Sequence, residues 1–162
     1  MIYLGIDPGL DGAIAAIGDG EPGCDRVAGV IDTPTAHDGK RRRYVVNEMR
    51  TAILKLCQGG QIGRFKAAVE RVHSMPKQGV VSSFTFGEGF GLWQGLLAGL
   101  SIPFDLVEPQ RWKKALLDGA GKEKGASRIR AAQLFPGVDL RLVKHHGRGD
   151  ALLIAEYRRR QG

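Results

Sequence analysis

Three short β-prone runs within the first 31 residues, followed by an abrupt change of period, constrain the fold of this chain more than any other feature. Ile2-Tyr-Leu-Gly-Ile6 is stopped by Asp7-Pro8-Gly9, where proline fixes φ and glycine permits positive φ. Ala13 to Ile17 follows Asp11-Gly12, and Arg26 to Ile31 follows a stretch bearing Gly, Pro and Asp. Connections this short favour an antiparallel meander. From Tyr44 onward, Val45, Met49, Ile53 and Leu56 recur at intervals of four, four and three, the stripe of an amphipathic helix that stops at Gly59-Gly60. Lys66 to Val72 is β-like again, and the helix before it permits a parallel crossover.

A second helix is predicted from Phe86, Phe90, Trp93, Leu97 and Leu100, and a last strand from Phe104 to Val107. A helix then opens at Pro109, a basic helical stretch covers 122–135, and a terminal helix runs from Asp150 to Arg160. This order describes one mixed α/β layer fold with five strands flanked by helices. At 162 residues, two separate cores would each be marginal, so residues 1–162 are expected to form a single domain. No run approaches the roughly 18 apolar residues of a membrane span. The start reads as a strand rather than a signal peptide, and Cys24 and Cys57 read as reduced thiols, so a cytoplasmic protein is expected.

The second helix carries Gly87, Gly91, Gly95 and Gly99, four residues apart on one ridge. Each glycine costs roughly 1 kcal/mol against alanine in a helix interior, about 4 kcal/mol for the set. Something must approach this backbone closely, either a sheet or helix of the same chain or the matching ridge of a second copy in a symmetric dimer.

Charge narrows the function. The chain has 24 Lys and Arg against 17 Asp and Glu, a formal +7. Residues 1–39 hold seven acids and one base, so the rest of the chain is strongly basic. A basic body suits a polyanion, because each neutralised phosphate releases counterions. Carboxylates set within such a body would repel DNA unless a cation stood between them, which points to a metal-dependent enzyme acting on nucleic acid.

Three acids are placed for that role: Asp7 closing the first strand, Glu70 near the end of the strand after the first helix, and Asp150 opening the last helix. If the two strands are parallel neighbours, both carboxylates emerge at one sheet edge, and a helix N-terminus at that edge would add Asp150. Such groups cannot all ionise together without a compensating cation, and hard oxygen donors suit Mg²⁺ or Mn²⁺. Two such ions would orient an attacking water and stabilise the leaving oxygen of a phosphodiester. Singly, each acid also has an ordinary structural reading as a turn residue, a rim charge or an N-cap.

Gly5-Ile-Asp7-Pro-Gly9, Ala68-Val-Glu70-Arg-Val72 and Gly149-Asp150-Ala-Leu-Leu-Ile-Ala155 resemble the signature segments of RuvC-like Holliday junction resolvases, and Val107-Glu-Pro-Gln-Arg-Trp-Lys-Lys114 resembles the segment after the last strand of phage-type members. The resemblance runs from about residue 2 to 157. It implies a ribonuclease H-like fold, a homodimer, and magnesium-dependent symmetric nicking of four-way DNA junctions; the expected dimer contact is the ridge Gly87, Gly91, Gly95 and Gly99, and the expected cofactor is Mg²⁺ or Mn²⁺, two ions per site. Asp7, Glu70 and Asp150 then look like the metal-binding catalytic acids. Bacterial members place an Asp or His three residues before the final Asp, where this chain has Gly147. His146, four residues before Asp150, shares its helical face if the helix begins early, and is the expected fourth catalytic and metal ligand. The alternative is a solvated or phosphate-contacting histidine in a basic loop with Lys144, His145 and Arg148. Asp11 is the weaker candidate and reads as a turn residue.

DNA contacts are expected from the basic segment 111–130. Lys113 and Lys124 match basic positions of the family, with Arg111, Lys114, Lys122, Arg128 and Arg130 as supporting phosphate contacts. Arg71, His73 and Lys77 extend that surface. His73 also stands where the family often has an aromatic wedge, and Phe84 or Phe86 could substitute. Lys40-Arg-Arg-Arg43 and Arg158-Arg-Arg160 are charge runs with no assigned task. Competing readings are a ribonuclease H-type nuclease on another substrate, a catalytically silent junction binder, and an actin-like kinase, for which the chain is too short.

Overall fold

The computed structural model describes residues 1–20, 27–57, 62–73, 79–117 and 125–162. In chain order the strands are β1 (Ile2–Asp7), β2 (Ala13–Gly18), β3 (Val27–Asp32), β4 (Thr35–Asp38), β5 (Arg41–Tyr44), β6 (Phe65–Glu70) and β7 (Phe104–Val107). The helices are α1 (Val46–Cys57), α2 (Val80–Gly99), α3 (Pro109–Leu116), α4 (Ala126–Leu134) and α5 (His146–Gln161). Five strands form one sheet in the order β3-β2-β1-β6-β7. The meander β1-β2-β3 is antiparallel, whereas β1 with β6 and β6 with β7 are parallel, joined by crossovers through α1 and α2. The mixed five-stranded sheet expected from the sequence is therefore present.

Pleat alternation sorts the core into two layers. Leu4, Ile6, Ile14, Ala16, Ala67 and Val69 pack on one face with Met49 and Ile53 of α1 and Trp93 and Leu97 of α2. Tyr3, Ala13, Ala15, Ile17 and Ala68 pack on the other with α3, α4 and the nearly wholly buried run Ala151 to Ala155 of α5. Both faces of the central strands are covered, which is why β1 and β2 read as continuous apolar runs rather than alternating ones. No helix among the described residues is long and apolar enough to cross a membrane.

Three features depart from the sequence reading. Residues 35–44 form a separate β4–β5 hairpin with its own two-stranded sheet, where only the onset of a helix was expected. α2 begins at Val80 rather than Phe86. α5 begins at His146, four residues before Asp150, continuing directly from a 3₁₀ turn at Val143–His145. That early start is the condition under which His146 shares a face with Asp150. The predicted helix stop at Gly59-Gly60 and the first residues of the 122–135 stretch lie outside the described residues.

Candidate active site

Strand parity aims the acids. Asp7 lies on the same pleat face as Tyr3, and Glu70 on the same face as Ala68, the face covered by α5. The parallel register pairs Ile6 with Val69, so Asp7 and Glu70 follow side by side at the strand ends. Asp150 arrives from above in the second turn of α5. Asp7, Glu70, Asp150 and His146 line one pocket of about 530 Å³, together with Asp11, Tyr44, Ser82, Thr85 and Phe86.

The electrostatics show carboxylates pressed together. Asp7 is 9% exposed. Burial first, and then the charges of Asp150 and Glu70, push its pKa up to about 8, against the opposing pull of the Gly9 N–H and Lys113. The Gly9 amide donates to Asp7 Oδ1 at 3.4 Å. Glu70 is also raised, chiefly by burial, although the Trp112 indole N–H donates to its Oε1 at 2.9 Å and favours the charged form. Asp150 is raised by burial, opposed by a Ser127 hydrogen bond, Lys113 and His146. Lys113 thus acts on all three acids, and its ammonium lies 5.1 Å from the centre of the Trp112 ring. Its charge therefore bears on the carboxylate site.

A hard divalent cation fits this donor set. Asp150 Oδ1 is buried with no hydrogen-bond partner, an orphaned acceptor on a residue that lines the pocket. Among the described residues no three His, Cys, Asp or Glu side chains stand grouped closely enough to hold a metal ion as they are placed. The acids line one pocket without meeting at a single point.

Gly147, where the bacterial pattern has a ligand, is buried against the β1–β2 loop. A Cβ there would collide with the Asp11 carbonyl oxygen and stand 2.8 Å from Gly12 Cα. The loop backbone occupies the space that a side chain would need. His146 is exposed at the pocket rim, whereas His145 is buried, so the two do not form one solvated basic loop. Asp11 accepts from Arg42 Nη1 at 2.6 Å, an ion-paired turn residue at the rim.

The expected DNA contacts divide. Arg111 and Lys114 are exposed on α3. Lys77, Lys122 and Lys124 lie outside the described residues. Arg128 turns its guanidinium onto the Leu140 and Arg141 carbonyls at 2.7 and 3.1 Å, and Arg130 reaches the Leu116 carbonyl at 3.1 Å, at the end of α3. These two arginines answer carbonyls near helix and loop ends. Arg71 and His73 both engage Glu108, at 3.2 and 2.8 Å. Of the wedge candidates, Phe84 is 76% exposed, whereas Phe86 packs by Gly9 in the pocket. Gly87, Gly91, Gly95 and Gly99 are all exposed, and no described residue of this chain comes within 4 Å of a Cβ built on them beyond the helix's own backbone. Among the described residues, nothing of this chain covers the ridge.

Sequence reasoning missed Trp112, Tyr44 and Arg42. The buried Trp112 donates its N–H to the strand-end Glu70, whereas the equally buried Trp93 N–H finds no partner among the described residues.

No protein-family model matches the chain. Over 85 residues, 51% of its length, the chain is 40% identical to the chloroplastic Holliday junction resolvase MOC1 of Chlamydomonas reinhardtii, and it spans about a tenth of that protein. Among solved structures it is similar to RuvC of Thermus thermophilus, with a TM-score of 0.62 at 18% identity, covering 96% of this chain and 91% of that one. It is also similar to T. thermophilus RuvC in complex with a Holliday junction substrate, with a TM-score of 0.61 at 18% identity over 99% of this chain and 96% of that one. The chain has the ribonuclease H-like fold of RuvC.

Proposed function

We propose that this chain is a divalent-metal-dependent endonuclease that resolves four-way DNA junctions as a homodimer. The observation that carries the reading is the convergence of Asp7, Glu70, Asp150 and His146 on one pocket at the parallel edge of a RuvC fold. The 40% identity with a resolvase across half the chain supports it. The four side chains would hold Mg²⁺ or Mn²⁺, which supplies charge neutralisation for a scissile phosphate and its attacking water. Asp7, anchored by the Gly9 amide, gives the fixed carboxylate at the pocket floor. Trp112 holds Glu70 in orientation, and Lys113 offsets the negative charge so that a phosphate can approach. Arg111 and Lys114, with Lys122 and Lys124, are the phosphate contacts on one flank.

The dimer reading is supported by α2. Its exposed ridge continues through the exposed Val80 and Phe84, an apolar and backbone-rich stripe that a second copy of the same helix would cover.

The deciding assay sets a labelled four-way junction beside a linear duplex and an RNA/DNA hybrid, with Mg²⁺ or Mn²⁺. Paired nicks in the junction are expected, with the other two largely intact. Cutting confined to the hybrid would replace the proposal with a ribonuclease H activity, and a bound but uncut junction would leave only a binder.

Trp112→Phe gives a narrower expectation. It keeps an aromatic ring in the core and removes only the donor to Glu70 Oε1. Partners that orient a metal ligand typically change affinity 10–100-fold, so Mn²⁺ binding by calorimetry should weaken about tenfold in a protein that still unfolds cooperatively.

A further inference from the structure

Lys40-Arg-Arg-Arg43, an unassigned charge run in the sequence, is the tip and second strand of the β4–β5 hairpin, and that hairpin is fastened to the catalytic loop. The register pairs Thr35 with Tyr44, Ala36 with Arg43, His37 with Arg42 and Asp38 with Arg41. The two-residue link is Gly39-Lys40, with Gly39 at φ 60°, the left-handed position that a tight hairpin turn assigns to glycine.

Alternation gives the hairpin two faces. On the inner one, Arg42 donates to Asp11 Oδ1 at 2.6 Å, to the Leu10 carbonyl at 2.7 Å and to Thr35 Oγ1 at 3.2 Å. Tyr44 donates to the Pro8 carbonyl at 3.3 Å, and its ring fills the space beside Gly89 of α2. Residues 8–11, which these bonds grip, link Asp7 to β2 and border the acid pocket. A two-stranded hairpin is marginal alone, so these anchors fix where it stands.

The outer face carries Arg41 and Arg43, with Lys40 at the turn, all exposed. Arg43 meets Asp38 at 2.8 Å, but the two side chains are 61% and 70% exposed, and a pair so open to water is worth about 1 kcal/mol or less. Lys40 and Arg41 have no ion pair among the described residues. Three exposed cations at positions 40, 41 and 43, on a hairpin fastened beside the acid pocket, make a positive patch that suits a polyanion. Strand order sets the geography: α3, with Arg111 and Lys114, follows β7 on one side of Asp7, while the hairpin holds the β1–β2 loop on the other.

We propose that the β4–β5 hairpin binds the DNA backbone beside the pocket, with Lys40, Arg41 and Arg43 contacting phosphates on the flank opposite α3 and Arg42 holding the hairpin in place. The choice of DNA as polyanion rests on the nuclease reading. The test uses the full-length protein carrying Lys40→Gln, Arg41→Gln and Arg43→Gln, with anisotropy titrations of a four-way junction and a linear duplex in EDTA across a KCl series. Each lost phosphate contact lowers the slope of log K against log salt by about 0.9. The slope should therefore fall by about 2 to 3 on both DNAs, with affinity at 0.1 M salt at least tenfold weaker and unchanged thermal unfolding. An unchanged slope overturns the proposal. Arg41→Glu, a single change at an exposed site, should lower the slope by about 0.9 and serves if the triple variant does not fold. Junction cleavage by the unmodified protein in Mg²⁺ is scored separately. Cleavage with an unaltered slope rejects the hairpin alone, whereas slope loss in a protein that cuts nothing rejects the nuclease reading and retains the hairpin.

Discussion

Asp7→Asn should yield a protein that still binds four-way junctions, cuts them at least a thousandfold more slowly, and in EDTA at pH 8 melts at a higher temperature than the parent. The cleavage loss follows from removing the pocket-floor carboxylate. The stability gain follows from the acids themselves. Burial and the charges of Asp150 and Glu70 raise Asp7 to about 8 in the folded protein, well above an unfolded carboxylate. Between those two values the folded state retains a proton that the unfolded state has released, so stability falls as pH rises through that window. One pKa unit corresponds to about 1.4 kcal/mol, and even a fraction of the shift gives a penalty of about 2 kcal/mol near pH 8. For a chain of this size that is a melting shift of roughly 4–8 °C. The parent should therefore lose stability between pH 5.5 and 8 in EDTA and regain it with Mn²⁺. The variant should show a shallower decline, because Glu70 and Asp150 are raised in the same direction, and a smaller response to Mn²⁺. Calorimetric scans at the two pH values, with and without metal, measure all of this. Loss of junction binding with cleavage retained would refute the site assignment.

How much of this was legible in the sequence depended on what kind of force placed each residue. The strand end at Asp7 was readable because the apolar run stops there, and the run after Asp150 announced a buried helix, whereas the strand read as far as Val72 ends at Glu70. That Asp7 and Glu70 both face α5 follows from pleat parity once the parallel register is known, and register is a long-range property. The β4–β5 hairpin was missed because its strands are polar. Its place is set by Arg42 and Tyr44 reaching carbonyls more than 30 residues away, which hydrophobic periodicity cannot report. The one local signal was Asp38-Gly39 between two four-residue runs. For Arg128 and Arg130 the sequence showed charge but not the carbonyls that would claim it. The glycine ridge was legible as a spacing, but the side of α2 it faced was decided by Gly89, Trp93 and Leu97 turning inward.

The fourth ligand gives the second large effect. Gly147→Asp restores the residue type that bacterial resolvases carry three positions before the final aspartate, and by sequence logic it should improve the site. The structure predicts the reverse. The new Cβ meets the Asp11 carbonyl and Gly12, which are backbone and cannot swing aside. Accommodation requires the first turn of α5 to part from the β1–β2 loop, displacing Asp150 from Asp7. Overpacking commonly costs 1–3 kcal/mol, and against backbone a loss of about 3 kcal/mol or more is expected, a melting temperature lower by roughly 6–12 °C with cleavage abolished. His146→Ala separates ligation from packing: at an exposed rim position it should leave melting in EDTA within a few degrees and weaken Mn²⁺ binding at least tenfold. His146→Asp should keep cleavage and shift preference toward Mg²⁺, since carboxylate oxygen suits the harder ion better than imidazole does. Cleavage regained by Gly147→Asp in a His146→Ala background, at parental melting temperature, would show that the loop yields and that the ligand belongs at 147. Otherwise the close approach of residues 11 and 12 to α5 would account for a ligand placed one position earlier, at His146.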